Sequence, residues 1–258
     1  MHCPICSEKM VDMFNTAELS VLKCKKCSFI GLDLETWQYP YSQKDYYENI
    51  DETAVKPDRP FVLRRVDFVK KYAGGGRLAE LGCGLGETAI TFSHAGFDVY
   101  GVEESMNAVR FLKERFGSVE WICGNIENFL ANNKGFDVIT LFHVLEHIPQ
   151  PRYFAELCRD ALNPNGILIV EIPDVAGGLA KLRGKRWEYW LPHHVNYFCV
   201  KSLRYLFEPF GMRLIKLERL YHFGWPQGIL WKDIIHGAFA FMGINSIIRT
   251  CFRLDSTD

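Results

Sequence analysis

Arg77-Leu-Ala-Glu-Leu-Gly-Cys-Gly-Leu-Gly-Glu87 is the stretch from which the fold is read. Leu78 to Leu81 reads as a buried strand, and a helix is expected to start near Glu87. Gly82, Gly84 and Gly86 stand at alternate positions in the turn between them. Glycine tolerates positive φ and carries no Cβ, so a bulky ligand can press against the backbone there. The helix that follows points unsatisfied N–H groups at that ligand. Strand, glycine-rich turn and helix together form the nucleotide-cradling element of an open α/β sheet.

The spacing narrows the ligand. A dinucleotide fingerprint, G-x-G-x-x-G, requires glycine at 87, where this chain has Glu87. Glu80, two residues before the first glycine, is a poor neighbour for a pyrophosphate. Outward from the turn, strands and helices alternate. A helix is predicted from Pro60 to Tyr72, and another from Glu87 to Ala95. Strand Asp98 to Glu103 leads to a helix capped by Ser105 and ending at Phe116. Strand Val119 to Cys123 precedes a short helix. Phe136 to Phe142 is nearly all apolar, as expected of a parallel strand covered on both faces. A helix from Pro151 to Leu162 and strand Gly166 to Ile172 follow. Ser202 is expected to open a helix ending near Phe210, before strand Met212 to Leu220. Such alternation implies a Rossmann-like, doubly wound and mostly parallel sheet with helices on both faces. Ligands of these sheets bind beyond the carboxyl ends of the strands, where Glu103 stands and can accept from both hydroxyls of a ribose.

At 258 residues the chain accommodates one α/β domain and a small accessory unit. The net charge of −1 gives no general attraction to nucleic acid or to anionic lipid. Met1-His-Cys-Pro-Ile-Cys6 lacks the apolar core of a leader. Cys3-x-x-Cys6 and Cys24-x-x-Cys27 are separated by seventeen residues, the spacing of a four-cysteine zinc site. Zinc there is expected to be structural, because four thiolates leave no open position. Met10 to Phe14 and Leu19 to Lys23 read as a hairpin between the pairs. Cysteine used this way suits a reducing, cytoplasmic setting. The expected organisation is a knuckle unit over 1–31, a connector or lid over 32–59 that carries Tyr46-Tyr47, the α/β domain over 60–220, and an apolar helical segment over 221–258.

Leu-Ala-Glu-Leu-Gly-Cys-Gly-Leu-Gly, Gly-Val-Glu-Glu-Ser, Gly-Asn-Ile-Glu and Phe-Asp-Val-Ile-Thr-Leu-Phe-His-Val-Leu-Glu-His-Ile occur in that order. They resemble the successive motifs of class I S-adenosylmethionine-dependent methyltransferases. The resemblance implies that Glu80, Gly82, Gly84 and Gly86 surround the methionine end of S-adenosyl-L-methionine, and that Glu103 holds its ribose. It implies an adenine site at Asn125 and Ile126, where the family usually has aspartate at the position of Asn125. Phe142 and His143 would touch the cofactor through their backbone.

For the acceptor the sequence offers Pro-His193-His194-Val-Asn-Tyr197-Phe198. This resembles a segment of methyltransferases acting on sugars, polyketides or lipid-like products. A zinc-containing sugar branch has a Glu-His pair at His193-His194, with the His as general base. His194 is therefore the first candidate base, His147 the second, with Tyr197 beside them; an imidazole titrates near neutrality. The expected acceptor is a small or carrier-linked metabolite. RNA methylation using Lys23, Lys25 and Lys26 beside the second knuckle is the alternative, opposed by the near-neutral charge. A cofactor-binding scaffold without acceptor chemistry is a third reading. From Trp225 to Arg253 the chain is apolar, with fifteen uncharged residues between Asp233 and Arg249. Packing against the domain is the reading preferred for it; a pocket cap, a homodimer contact and a peripheral membrane contact stay open. No seventh strand is evident.

Overall fold

The computed structural model describes all residues except 16–18, 36, 38–46, 48–49, 51–52, 54, 221–245 and 257–258. The chain runs through β1 (Met10–Asn15), β2 (Ser20–Cys24), β3 (Ile30–Leu32), α1 (Pro60–Lys70), β4 (Gly76–Leu81), α2 (Glu87–His94), β5 (Phe97–Glu103), α3 (Met106–Arg115) and β6 (Glu120–Cys123). It continues through α4 (Ile126–Asn132), β7 (Phe136–Phe142), α5 (Pro151–Ala161), β8 (Leu162–Pro173), α6 (Gly178–Arg183), β9 (Asn196–Tyr197), α7 (Val200–Phe207), β10 (Met212–Leu220) and β11 (Ile247–Leu254).

The seven-stranded sheet has the order β10-β11-β8-β7-β4-β5-β6. Pairs from β8 to β6 are parallel, as the alternation of strands and helices requires. The pleat divides the core. Leu78, Val138, Ile167 and Ile169 join α1, α2 and α3 on one face. Ala79, Leu81, Ile139, Leu141, Leu168 and Val170 join α4, α5 and α7 on the other. Glycine turn and strand termini therefore share one edge of the sheet.

Three expectations are corrected here. A seventh strand exists: β11 lies between β8 and β10, antiparallel to both. Its residues Ile247, Ile248, Thr250, Cys251 and Phe252 are buried, and β-branched side chains suit that pleated position. The helical reading of 221–258 thus fails for Ile247–Leu254, while residues 221–245 lie outside those described. Ser202 does not open α7 but stands at its third position. There it exchanges a reciprocal capping contact with Cys199, accepting from the Cys199 N–H at 2.9 Å.

The smaller sheet, in the order β1-β2-β3-β9, shows why the N-terminal unit does not end at residue 31. Ile30 pairs with Tyr197 and Gly31 with Asn196. Leu32 N–H donates to Val195 O at 3.0 Å, and Trp37 Nε1 to Pro192 O at 2.7 Å. Arg152 Nη1 reaches Ile5 O at 3.0 Å. The unit is built into the segment that follows β8.

One charge pair locks β11 in place. Arg249 is opposite Glu171 in the ladder, and each is 4% exposed. Arg249 Nε donates to Glu171 Oε2 at 2.7 Å, and Arg65 Nε of α1 donates to Oε1 at 3.0 Å. Removing one partner of such a pair leaves a charge out of water without compensation. Arg249→Met is expected to lower unfolding free energy by about 3 kcal/mol in urea titration; an unchanged midpoint would show the pair to be dispensable.

Candidate active site

The three turn glycines adopt φ values of 66°, 56° and 72°, all left-handed. A Cβ on Gly82 would come within 2.7 Å of Val144 Cγ2, and one on Gly86 within 2.4 Å of Trp121 Cη2. At Gly84 the neighbour is the Tyr47 hydroxyl, 3.0 Å from the same position, so the connector reaches the glycine turn. Gly86 caps α2 without a side-chain partner for the first-turn N–H groups. The turn is thus wedged between β6 and the chain after β7, with helix donors facing outward.

Glu103 ends β5 with both carboxylate oxygens engaged by backbone. Gly84 N–H donates to Oε2 at 3.0 Å and Ser105 N–H to Oε1 at 3.0 Å. Each oxygen keeps a further lone pair for a diol. Ser105 caps α3 as expected, accepting from Ala108 N–H at 3.1 Å. Asn125 caps α4: its Oδ1 accepts from Asn128 N–H at 3.1 Å and its Nδ2 donates to Glu104 Oε1 at 3.1 Å. Ile126 opens the same helix and is buried. The turn, Glu103 and the β6–α4 corner follow one another along the carboxyl ends of adjacent strands β4, β5 and β6.

Glu80 lies beneath the turn, and its Oε2 has no hydrogen-bond partner. Burial pushes its carboxyl up to about 8; the Arg65 charge pulls the other way without matching it.

Beyond β7 the chain turns sharply at His143, whose φ is 60°. Phe142 is buried under the Arg65 guanidinium, which lies 4.3 Å from its ring centre. His143 stands in a recess, still one-third exposed, with Nδ1 3.4 Å from Glu146 Oε1 and Nε2 3.5 Å from Glu171 Oε1. Burial would lower its pKa, but the two carboxylates outweigh this and raise it to about 9. Glu146 is 2% exposed and no hydrogen bond reaches either oxygen. Burial opposes its ionisation; His143, with His147 and His194 behind it, nevertheless holds its carboxyl below the usual range.

The expected histidines gather here. The ring of His194 lies 4.9 Å from that of His147 and 4.8 Å from that of His193. His147 Nδ1 contacts His193 O at 2.9 Å, and His194 Nδ1 contacts Tyr189 O at 3.1 Å. A carbonyl can only accept, so each Nδ1 carries a proton and, in the neutral ring, Nε2 offers a lone pair. Burial pushes His194 down to about 4, and the two neighbouring imidazoles reinforce it against the pull of Glu146. His194 is therefore neutral around pH 7. Tyr197 is placed differently: its buried hydroxyl donates to Leu191 O at 3.2 Å, and its ring packs on Trp190 with centres 4.5 Å apart. It supports the histidine segment by packing.

Where the small sheet meets α6 and the start of α7, a cleft of about 960 Å³ opens. Lys23, Lys181, Lys185, Lys201 and Arg219 line it, with Trp190 on the wall shared with Tyr197. In the knuckles, the four sulfurs of Cys3, Cys6, Cys24 and Cys27 lie within 4.8 Å of one another. Cys3 and Cys27 Sγ are 3.5 Å apart, as are Cys6 and Cys24 Sγ. Tetrahedral zinc thiolates require about 3.8 Å. The pairs fold alike: Ser7 and Ser28 follow them at φ 59° and 64°, each donating N–H to the first cysteine's carbonyl at 3.0 Å. This donor set and geometry fit zinc.

Sequence reasoning missed Arg65, Glu146, Glu171 and Arg249. The available signal was a lone charge inside each of two apolar runs, Ile167 to Ile172 and Ile247 to Phe252.

Residues 58–217 match the family described as "Methyltransferase domain". The chain belongs to this family. A ubiquinone biosynthesis O-methyltransferase of Actinobacillus pleuropneumoniae is 31% identical over 116 residues, 40% of this chain and 50% of that protein. The mitochondrial counterpart of Schizosaccharomyces pombe is 31% identical over 119 residues, 41% of this chain and 43% of that protein. The chain thus spans about half the length of the curated relatives it matches. Among solved structures, a SAM-dependent methyltransferase from Archaeoglobus fulgidus shares the fold at TM-score 0.58 and 17% identity, covering 75% of this chain and 92% of that one. Phosphoethanolamine N-methyltransferase 2 of Haemonchus contortus, in complex with S-adenosyl-L-methionine, does so at TM-score 0.54 and 16% identity, covering 75% and 53%. No helix among the described residues is long and apolar enough to cross a membrane.

The sign of the Glu80 shift sets a pH dependence. Its folded pKa, about 8, exceeds the ordinary value of 4.5. Its contribution is fully present below pH 4.5 and is lost as pH rises through 8, because the unfolded chain releases the proton first. Wild-type melting temperature should fall relative to Glu80→Gln between pH 5 and 9; parallel pH profiles would refute the assignment.

Proposed function

We propose that the chain catalyses methyl transfer from S-adenosyl-L-methionine to a small or carrier-linked metabolite. The observation that carries this reading is Glu103, held by the glycine turn through the Gly84 N–H and presenting two oxygens at the end of β5. Glu103 would take the ribose hydroxyls. The N–H groups at the start of α2 would take the carboxylate of the methionine end. The chain around Asn125 and Ile126 would bound the adenine, and the backbone of Phe142 and His143 would close the floor. When bound, the cofactor supplies a sulfonium-activated methyl group.

Acceptor preparation falls to the histidine recess. His194, neutral and fixed through Nδ1, promotes loss of the acceptor proton, with His147 beside it. Holding the acceptor in line with the methyl group is itself a large part of the rate. The basic cleft suits an acceptor with an anionic handle or an anionic carrier. The relatives named as ubiquinone biosynthesis O-methyltransferases favour a small-molecule acceptor and an oxygen as the methylated atom. The four knuckle thiolates would hold one structural zinc and keep β1, β2 and β3 in register for β9.

Calorimetry with S-adenosylmethionine and S-adenosylhomocysteine tests the cofactor. Micromolar binding is expected for wild type and a loss of at least about a hundredfold for Glu103→Ala, which removes two charge-assisted contacts; binding of NAD instead would overturn the reading. His194→Ala should keep cofactor affinity while losing about 10²-fold or more in turnover in a screen of hydroxylated and carrier-linked acceptors. Unchanged turnover would remove His194 from the mechanism.

A further inference from the structure

The histidine recess holds more ligating capacity than proton transfer uses. Glu146, His147 and His194 each present one ligand atom, and these atoms lie within 4.8 Å of one another. We propose that these three residues form a divalent-cation site, separate from the four-cysteine site, whose open position takes the acceptor's hydroxyl oxygen.

Three independent features converge on this. Glu146 is 98% buried in the sense that 2% of its surface is accessible, yet neither of its oxygens receives a hydrogen bond. A carboxylate removed from water this far is normally satisfied by donors or by a metal. His143 Nδ1 approaches Glu146 Oε1 at 3.4 Å without making a hydrogen bond, and its opposite nitrogen, Nε2, faces Glu171 at 3.5 Å. Next, both imidazoles are oriented as metal ligands are. His147 gives its Nδ1 proton to His193 O and His194 gives its own to Tyr189 O, which leaves Nε2 as the ligating atom of each. Donation of the second ring N–H to a backbone carbonyl is the usual outer support of a metal-bound histidine. Finally, the ligands come from two elements that the fold holds together. Asn196 Nδ2 donates to Ile148 O at 2.5 Å, tying the β9 segment to the turn that carries Glu146 and His147.

Two nitrogens and one carboxylate oxygen form a three-ligand set that suits zinc or a similar borderline ion and leaves a fourth position open. Ligands at about 2.1 Å stand roughly 3.4 Å apart around such an ion, inside the 4.8 Å span of these three atoms. The site lies one turn past Phe142 and His143, and Val144 of the same turn packs against the space above Gly82. An oxygen at the open position would therefore be adjacent to the cofactor end of the sheet.

The inference rests on the methyl-transfer reading and specifies how His194 serves it: as a ligand of the ion rather than as a free base. A hydroxyl bound to the ion ionises more readily, its proton passing to solvent. The oxygen lone pair then forms the bond to the methyl carbon as the carbon–sulfur pair returns to sulfur.

The test is a cobalt titration of the full chain after metal removal, followed by absorption, with bound metal counted by elemental analysis. Two equivalents are expected. One should bring thiolate-to-metal charge transfer from the cysteine site, and the other ligand-field absorption without it. Glu146→Gln should weaken the second equivalent at least about tenfold and leave the thiolate band unchanged. A single equivalent in wild type, with thiolate bands only, overturns the site whether or not the variant folds. A second equivalent indifferent to Glu146→Gln and to His194→Asn overturns it as well. Calorimetry with S-adenosylmethionine on the same samples separates the two readings: cofactor binding with one cobalt sinks the metal site alone, and two cobalt ions without cofactor binding sink the cofactor assignment alone.

Discussion

The rest of the molecule depends on a turn in which two positions, Gly82 and Gly86, admit only glycine. Gly82 and Gly86 combine left-handed backbone with neighbours that leave no room for a methyl group: Val144 beside the first, Trp121 beside the second. Both constraints act together. A larger residue would be strained in its backbone and would also displace the segment after β7 or the strand β6. Because the turn is this thin, Gly84 N–H comes within 3.0 Å of Glu103, and the acid at the end of the neighbouring strand is held by the same backbone that lines the cofactor site.

Charge is the second organising principle, and it is concentrated at one end of the sheet. Arg65, Glu171, Arg249, His143 and Glu146 form a chain of contacts running from α1 across β8 and β11 to the turn after β7. Each acid is buried, and each is ionised because a cation answers it: Arg65, His143 and Arg249 draw Glu171 well below the ordinary range against the effect of burial. Glu80 has no comparable partner for one of its oxygens and goes the other way. Two carboxylates a few residues from the same strand ends thus differ in protonation by environment alone.

Much of this was readable from local pattern. Strand Phe136–Phe142 and strand Met212–Leu220 fall where the apolar runs place them, and Ser105 caps its helix. The four cysteines meet because C-x-x-C spacing is a local geometric statement, and the fold builds both knuckles alike. What escaped were features decided over long sequence separations. Arg249 reads as the boundary of an uncharged run, but Glu171, seventy-eight positions earlier, makes it an interior residue of β11. The two-residue strand β9 is too short for any periodicity, and only its partner β3 defines it. Glu146 sits in a motif legible by resemblance, yet its lack of hydrogen-bond donors becomes visible only once His194 and its neighbours are folded against it.

The position of β11 has a consequence for how the protein is made. In chain order it follows every other strand, but in space it sits inside the sheet, with β8 on one side and β10 on the other. During synthesis the edge of β8 therefore stays open, with its backbone donors unpaired and Glu171 Oε2 without its Arg249 partner, until Ile247–Leu254 leaves the ribosome and inserts. Closing a sheet from the middle with a strand 74 to 86 residues downstream of its partner is a slow, non-local step. The nascent chain is thus most exposed to mispairing before β11 arrives, and Arg249, which completes the neutralisation of Glu171 beside Arg65, is the residue that ends that interval.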